Sequence, residues 1–216
     1  MRFTIGYINH NNDVFEKHLN KSLKNLRGEF DIISTSCEDC PAKNYNKIID
    51  ASTNDWIILT HQDISFSEDL LEKIELTMKT LDDKGCNYSA LGLVGIDINT
   101  EEYRWSNSEE IYELETCDCC FMVINKNNTV RFDSDLFNDF HLYVEDYCVS
   151  VKQFGSIYTI FGVESYDSTS RNVYPLPESY IIHHSETVRL RGFTWGRYFE
   201  YKEKLNNKWG RKIKTT

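Results

Sequence analysis

Residues 55–63 read Asp-Trp-Ile-Ile-Leu-Thr-His-Gln-Asp. Trp56 to Thr60 is an apolar run of strand length without polar alternation, the mark of a short buried β-strand. It passes directly into His61, Gln62 and Asp63. In open α/β sheets ligands bind beyond the carboxyl ends of the strands, so Asp63 is the leading candidate to hold a metal ion or a metal-bound phosphate. The competing reading makes Asp63 only the cap of a helix starting near Ser67.

The segments on either side predict an α/β sheet. Residues 2–8 form a first strand. Val14, Leu19, Leu23 and Leu26 fall near helical spacing over residues 13–26. Phe30 to Ser34 is a second strand, Cys37 to Lys43 a polar loop, and Asn44 to Ser52 a helix with Tyr45, Ile48 and Ile49 on one face. After the third strand, an amphipathic helix runs from Ser67 to Leu81, with Glu68 and Asp69 in its first turn matching the helix dipole. Strands alternating with short helices imply a mostly parallel sheet with right-handed crossovers. Tyr88 to Ile96 is the next strand. Residues 97–113 are polar, with Tyr103 and Trp105 isolated among them, and read as a hairpin or active-site flap. Phe121 to Ile124 is a strand and Asn125 to Asn128 a turn. A helix over Phe140 to Phe154 is stopped by Gly155. Ile157 to Phe161 is a late strand, 162–177 is loop-rich, and Tyr180 to Ile182 is a very short strand ending at His183-His184. An aromatic, basic helix spans 193–209. Residues 1–186 are read as one domain and 187–216 as a basic helical extension.

A net charge of −10 argues against nucleic-acid binding by the body of the protein. The charge is uneven: residues 189–216 hold nine Lys or Arg against two Glu, a net of +7, which leaves −17 for residues 1–188. Such a tail either touches phosphates or an anionic membrane surface, or docks on its own acidic domain. No secretory leader pattern and no apolar run of membrane-spanning length occurs, which predicts a cytoplasmic protein, with association at the inner membrane face as an extension of that reading. Seven cysteines, an odd number, favour free thiols over a disulfide framework. Cys37, Cys40, Cys117 and Cys119 are a weak zinc alternative. Neither Gly-x-Gly-x-x-Gly nor a Gly-Lys-Ser/Thr phosphate loop is present, which lowers the case for a dinucleotide enzyme or P-loop NTPase.

Candidate chemistry gathers where apolar runs turn polar: Asp63, the run from Glu115 to Asp118, the Glu145-Asp146 pair, and His183-His184. A carboxylate and an imidazole can share a divalent ion with phosphate oxygens, and the imidazole tilts that preference from Mg²⁺ toward Mn²⁺. Strand alternation turns His183 and His184 to opposite faces, so one of them at most is a ligand. A second carboxylate near the reacting centre would deprotonate an acceptor hydroxyl.

Five pieces in series carry a family resemblance: Asn44-Tyr45-Asn46-Lys47, Ile57 to Ile64 with His61-Gln62-Asp63, Leu114 to Met122 around Asp118, Phe140 to Gly155 with His-x-Tyr-x-x-Asp-x-Cys, and Ile181 to Ser185. Together they resemble the glycosyltransferase family 2 superfamily of GT-A fold, in a branch with His-Gln-Asp in place of Asp-x-Asp. The resemblance implies a Rossmann-like, mostly parallel central sheet flanked by helices. It implies a nucleotide-diphosphate sugar as donor, bound near Tyr7 to Asn9, Glu38, Asp39 and Asn44, with His61 toward the nucleotide. Asp63 and His183 would hold Mn²⁺ or Mg²⁺. Asp118 would lie near donor sugar or acceptor, and Asp146 would be the base of an inverting displacement. The acceptor would be a glycan or lipid-linked hydroxyl, with Glu145 and His141 on its side. Arg189, Arg191 and Arg197 would face phosphate, and Trp195 and Tyr198 the body or a lipid interface. The tail would alternatively support a homodimer. Two other functions share the fold: a sugar-phosphate nucleotidyltransferase and a non-catalytic nucleotide-sugar or protein-binding module.

Overall fold

The computed structural model describes residues 1–168, 175–185 and 195–216. The chain opens with β1 (Arg2–Asn9), α1 (Asn12–Lys17), α2 (Leu19–Asn25), β2 (Glu29–Ser36), α3 (Pro41–Ala51) and β3 (Trp56–Thr60). Then come β4 (Ile64–Phe66), α4 (Leu70–Asp83), β5 (Tyr88–Gly92), β6 (Val94–Asp97), β7 (Tyr103–Trp105), β8 (Glu113–Cys117) and β9 (Phe121–Asn125). The remainder is α5 (Tyr143–Val151), β10 (Ser156–Thr159), β11 (Glu164–Asp167), β12 (Tyr180–His183) and α6 (Trp195–Trp209).

Nine described strands form one sheet in the order β2-β1-β3-β9-β5-β10-β8-β6-β7, and β11-β12-β4 form a second. The first three strands are parallel, as the βαβ alternation predicts. Beyond β3 the sheet is mixed: β9 runs antiparallel to β3 and β5, β10 parallel to β5, and β8, β6 and β7 antiparallel to their neighbours. The expected α/β class stands, with a more mixed sheet than a run of crossovers would give.

β3 is buried along its whole length because layers cover both faces. Trp56 and Ile58 pack with Leu19, Leu70, Ile74 and Met78 on one side. Ile57 and Leu59 pack with Ile48, Ile49, Tyr143 and Leu205 on the other. Each fully buried aliphatic or aromatic side chain contributes roughly 1.5–3 kcal/mol, so this central slab is the rigid base beneath the site.

Several elements differ from the periodicity. The helix expected over 13–26 breaks at His18, where ψ is −83°. The single run Tyr88 to Ile96 divides into β5 and β6, which occupy separate places in the same sheet. β4 and β7 have three residues each, too few to show a period. Asp63 caps no helix: β4 follows it, and α4 begins only at Leu70.

Gly95 lies in β6 where a Cβ would stand 2.2 Å from the Thr116 carbonyl oxygen of β8 and 2.8 Å from Leu114 Cδ1. The carbonyl belongs to a paired strand and has no room to retreat. Gly95→Ala is expected to lower stability by about 1–3 kcal/mol, read as a reduced urea midpoint at unchanged m-value.

Candidate active site

Two cleft lobes meet at the end of β3. The first is a narrow, open lobe lined by Ile8, Cys37, Asp39, Tyr45, His61 and Gln62, among others. It lies beyond the carboxyl ends of β1, β2 and β3, where a parallel sheet presents its ligand crevice. Gln62 builds its wall: the side-chain oxygen accepts from His10 N (3.1 Å) and Asn11 N (3.2 Å), clamping the segment after β1 to the end of β3. Asp39 lines the lobe with its carboxylate between Lys47 (2.6 Å) and Lys43 (2.9 Å), whose hydrogen bonds hold it below its ordinary pKa. Asn44 is buried and donates to the Asp39 carbonyl (2.9 Å), so it supports this loop from beneath. Tyr7 is also buried, stacked on Phe15 at 4.8 Å, and Asn9 ends β1 just before His10, which lines the lobe.

The second lobe is roomier and opens between Asp118, His141, Glu145, His183, Tyr198 and Thr216. His61 and Phe140 line both lobes. At their junction His61 Nδ1 lies 3.9 Å and His183 Nε2 3.7 Å from one atom, Asp63 Oδ1. Asp63 is fully buried. Both ring nitrogens are also buried and make no hydrogen bond to the described residues. The strand register produces this meeting. β12 runs antiparallel to β4 with His183 opposite Ile64, the residue after Asp63. His184 turns away, its ring on Ser65 Oγ (2.9 Å) and stacked on His18. Behind His183, Ser185 Oγ donates to Asp167 Oδ2 (2.7 Å) and sits 3.4 Å from His183 Nδ1, orienting the ring. Burial pushes His61 down to about 4, outweighing the attraction of Asp63, so its ring is neutral at neutral pH.

These residues suit a divalent first-row ion. Nitrogen and oxygen ligands sit about 2.0–2.2 Å from such a metal, which puts two of them about 3–4 Å apart. The observed gaps are too long for hydrogen bonds and right for an ion between the atoms. The donor set of two imidazoles and one carboxylate takes Mn²⁺ more readily than Mg²⁺, and the hydroxyl and carboxylate behind His183 are the outer support that metal-binding histidines use. Among the described residues, His61, Asp63 and His183 are the one such group within 4.8 Å of one another. The cysteines are free thiols; Cys117 and Cys148 face each other in the core at 3.5 Å.

The carboxylates of α5 separate. Successive helical residues point about 100° apart. Glu145 faces the second lobe, and Asp146 faces α6. Asp146 accepts from Trp209 Nε1 (2.8 Å) and Lys208 Nζ (2.9 Å). The structure therefore places Asp146, expected as the base, in a structural ion pair away from the lobe lining. Glu145 accepts from Thr216 Oγ1 (3.0 Å), and burial, reinforced by Asp118, raises it to about 8. Asp118 lines the same lobe and accepts from Cys120 N (2.8 Å). His141 lines it as well, lowered by burial, with its ring edge-on to Phe140 and Tyr198. The sequence reading gave no role to Gln62, Phe140 or Thr216, and did not count His61 among the metal ligands; the first two lie inside the quoted motif or beside it.

The basic C-terminal segment docks on the acidic domain. Arg211 pairs with Glu115 (2.6 Å), Lys214 with Glu101 (2.8 Å) and Lys208 with Asp133 (2.8 Å). Arg197, expected to face phosphate, pairs with Asp139. Trp195 is exposed. Arg189 and Arg191 lie outside the described residues. No helix among the described residues is long and apolar enough to cross a membrane.

No protein-family model matches the chain, and no curated protein sequence matches it. Solved structures share its architecture. S. aureus TarS residues 1–349 superposes with a TM-score of 0.53 at 12% identity, over 74% of this chain and 60% of that one. The same TarS fragment in complex with UDP-GlcNAc gives 0.54 at 11% identity, over 96% and 66%. GalNAc-T7 with UDP, GalNAc and Mn²⁺ gives 0.55 at 7% identity, over 85% and 44%. The fold is of GT-A type. At these identities the likeness is one of fold, and the chain spans about 60% of the first TarS structure.

Folding raises the Glu145 pKa from its ordinary 4.5 to about 8. Between those values the folded state binds a proton that the unfolded state releases, so this group's contribution to stability falls as pH rises across that window. Glu145→Gln removes the dependence. Relative to wild type, the variant should gain more than about 1.4 kcal/mol between about pH 5 and pH 9, the equivalent of one pKa unit, in urea unfolding.

Proposed function

We propose that this chain is a metal-dependent glycosyltransferase that moves a hexose-type sugar from a nucleotide-diphosphate sugar to an acceptor hydroxyl, with inversion. The observation that carries the proposal is the convergence of His61 Nδ1 and His183 Nε2 on Asp63 Oδ1 at the junction of the two lobes. A diphosphate spanning that junction would have its nucleoside in the lobe of Gln62, Tyr45 and Asp39 and its sugar in the lobe of Asp118 and Glu145. The nucleotide and sugar in the TarS and GalNAc-T7 complexes support the donor class, and the Mn²⁺ with GalNAc-T7 supports the ion.

His61, Asp63 and His183 would hold the ion, which when bound neutralises charge on the departing diphosphate. Gln62 keeps the nucleotide lobe open at fixed width. Glu145 replaces Asp146 as the proposed base. A carboxyl tuned near the working pH transfers protons efficiently, and Glu145 stands in the lobe where an acceptor hydroxyl would enter. Asp118, across the same lobe, would hydrogen-bond the donor sugar or orient the acceptor. Removal of the hydroxyl proton on one side while diphosphate leaves on the other is a single displacement, which inverts the anomeric carbon.

Calorimetric titration with UDP, GDP, dTDP and CDP, each with Mn²⁺ and with EDTA, tests the donor site. Metal-dependent binding of one diphosphate is expected, weakened by at least about 100-fold in Asp63→Ala. Binding indifferent to EDTA and to that substitution would refute the metal-held diphosphate. For the base, Glu145→Gln is expected to lower transfer by about 10²–10⁴ while retaining diphosphate binding. The wild-type rate should rise with pH through a limb near 8, set by Glu145, and the variant should lose that limb.

A further inference from the structure

A groove between β7 and β11 holds about 910 Å³ of space open to solvent. Its lining includes Tyr103, Trp105, Tyr112, Tyr166, Glu164 and Asp167. Tyr103 and Trp105 alternate on β7 and so share a face. Tyr103 is 56% exposed, and Trp105 is only half-buried. Folding alone gives no reason to leave these rings at the surface of a three-residue strand.

The walls of the groove are tied together. Ser165 donates from its backbone N (3.2 Å) and its hydroxyl (2.8 Å) to the Ser106 carbonyl. Gly162 N donates to the Asn107 carbonyl (3.0 Å), and Ser108 donates from its N (3.0 Å) and hydroxyl (2.6 Å) to Glu164. The spacing of the walls is thus set before any ligand arrives, which reduces the ordering cost of binding. Two residues connect the groove to the cleft. Asp167 lines it and, through Ser185, orients the His183 ring. Burial, followed by the charge of Asp118, Tyr198 and Glu145 from the second lobe, raises the pKa of the Tyr103 hydroxyl.

Aromatic faces bordered by carboxylate, amide and hydroxyl groups match a sugar chain, which presents C–H faces and hydroxyl edges to its binding site. The charge selects among sugar chains. Arg104, a cation in the lining, is already paired with Asp97 (3.3 Å) and Glu102 (2.9 Å) and lies over the Tyr112 ring. Glu164 and Asp167 line the groove, and Glu110 borders it through its hydrogen bond from Tyr112 (2.6 Å). A phosphorylated, sulfated or uronate chain would meet this acidic wall; an uncharged one would not. We propose that the groove between β7 and β11 binds a neutral oligosaccharide whose terminal hydroxyl enters the cleft past Tyr103. Its role as acceptor rests on the transferase reading; its binding of sugar chains does not.

The test is retention of the full chain on an array of immobilised cellohexaose, maltohexaose, mannohexaose and chitin hexamer, beside oligogalacturonate and sulfated hexamers. Retention on at least one neutral chain is expected. It should fall by at least about tenfold in Tyr103→Ala and in Trp105→Ala and persist in Trp105→Phe. Tyr103 is exposed enough for Tyr103→Ala to fold, which an unchanged thermal midpoint verifies. No retention on a neutral chain, preference for the acidic ones, or retention unaffected by both alanine variants would overturn the proposal. The diphosphate titration separates the two readings. Sugar-chain retention without diphosphate binding upholds the groove and removes the transferase; diphosphate binding without retention removes the groove alone.

Discussion

A carboxylate with no solvent exposure is held at the end of a strand buried on both faces, and the remaining site is organised around that burden. Moving an isolated charge out of water costs several kcal/mol unless opposite charge or hydrogen bonds compensate. Around Asp63 Oδ1 the protein sets two imidazole nitrogens that make no hydrogen bonds to the described residues. Burial keeps the His61 ring neutral and its lone pair available. Two imidazoles and a carboxylate gathered at one buried point are a donor set whose charge a cation would balance. The β4–β12 pairing is the structural device that makes it, because its register carries His183 across the chain to Asp63.

The same packing divides labour around that centre. Gln62 fixes the first lobe by satisfying two backbone donors. α5 supplies the second lobe from one face and docks α6 with another. Leu142, with φ at +61°, turns the chain into α5; a left-handed β-carbon-bearing residue is a conformation that only surrounding structure sustains. α6 and the segment after it hold the opposite side through fully buried Leu205 and Ile213, and Thr216 reaches Glu145. Arg197, Lys208, Arg211 and Lys214 of this segment pair with acidic partners on the body, so part of the charge asymmetry in the sequence is internal complementarity.

The legible part of the fold was its first third. Strands β1, β2 and β3 have enough residues to show a pattern, and the turns between them are short. Farther along, β4 and β7 are too short for periodicity, and nothing in the continuous apolar run from Tyr88 to Ile96 says that it serves two places in one sheet. In the candidate site, the position of Asp63 at the end of a buried strand was legible because an apolar run stopped there, and that of His183 because a second apolar run did the same. The choice between Glu145 and Asp146 was not legible. Adjacent residues of one helix differ only in what packs against them, and the partners of Asp146 lie more than sixty residues away, at Lys208 and Trp209.

By itself the sequence determined an α/β sheet and placed a carboxylate and an imidazole at the ends of buried strands, since these follow from local runs of hydrophobicity and where they stop. Tertiary structure decided which histidine meets Asp63, that His61 joins them, that Glu145 faces the cleft while Asp146 serves the core, and that the aromatics of residues 103–112 border a groove. Each of those outcomes depends on strand register or on a helix face meeting a distant segment, and such pairings are set by packing the whole chain at once.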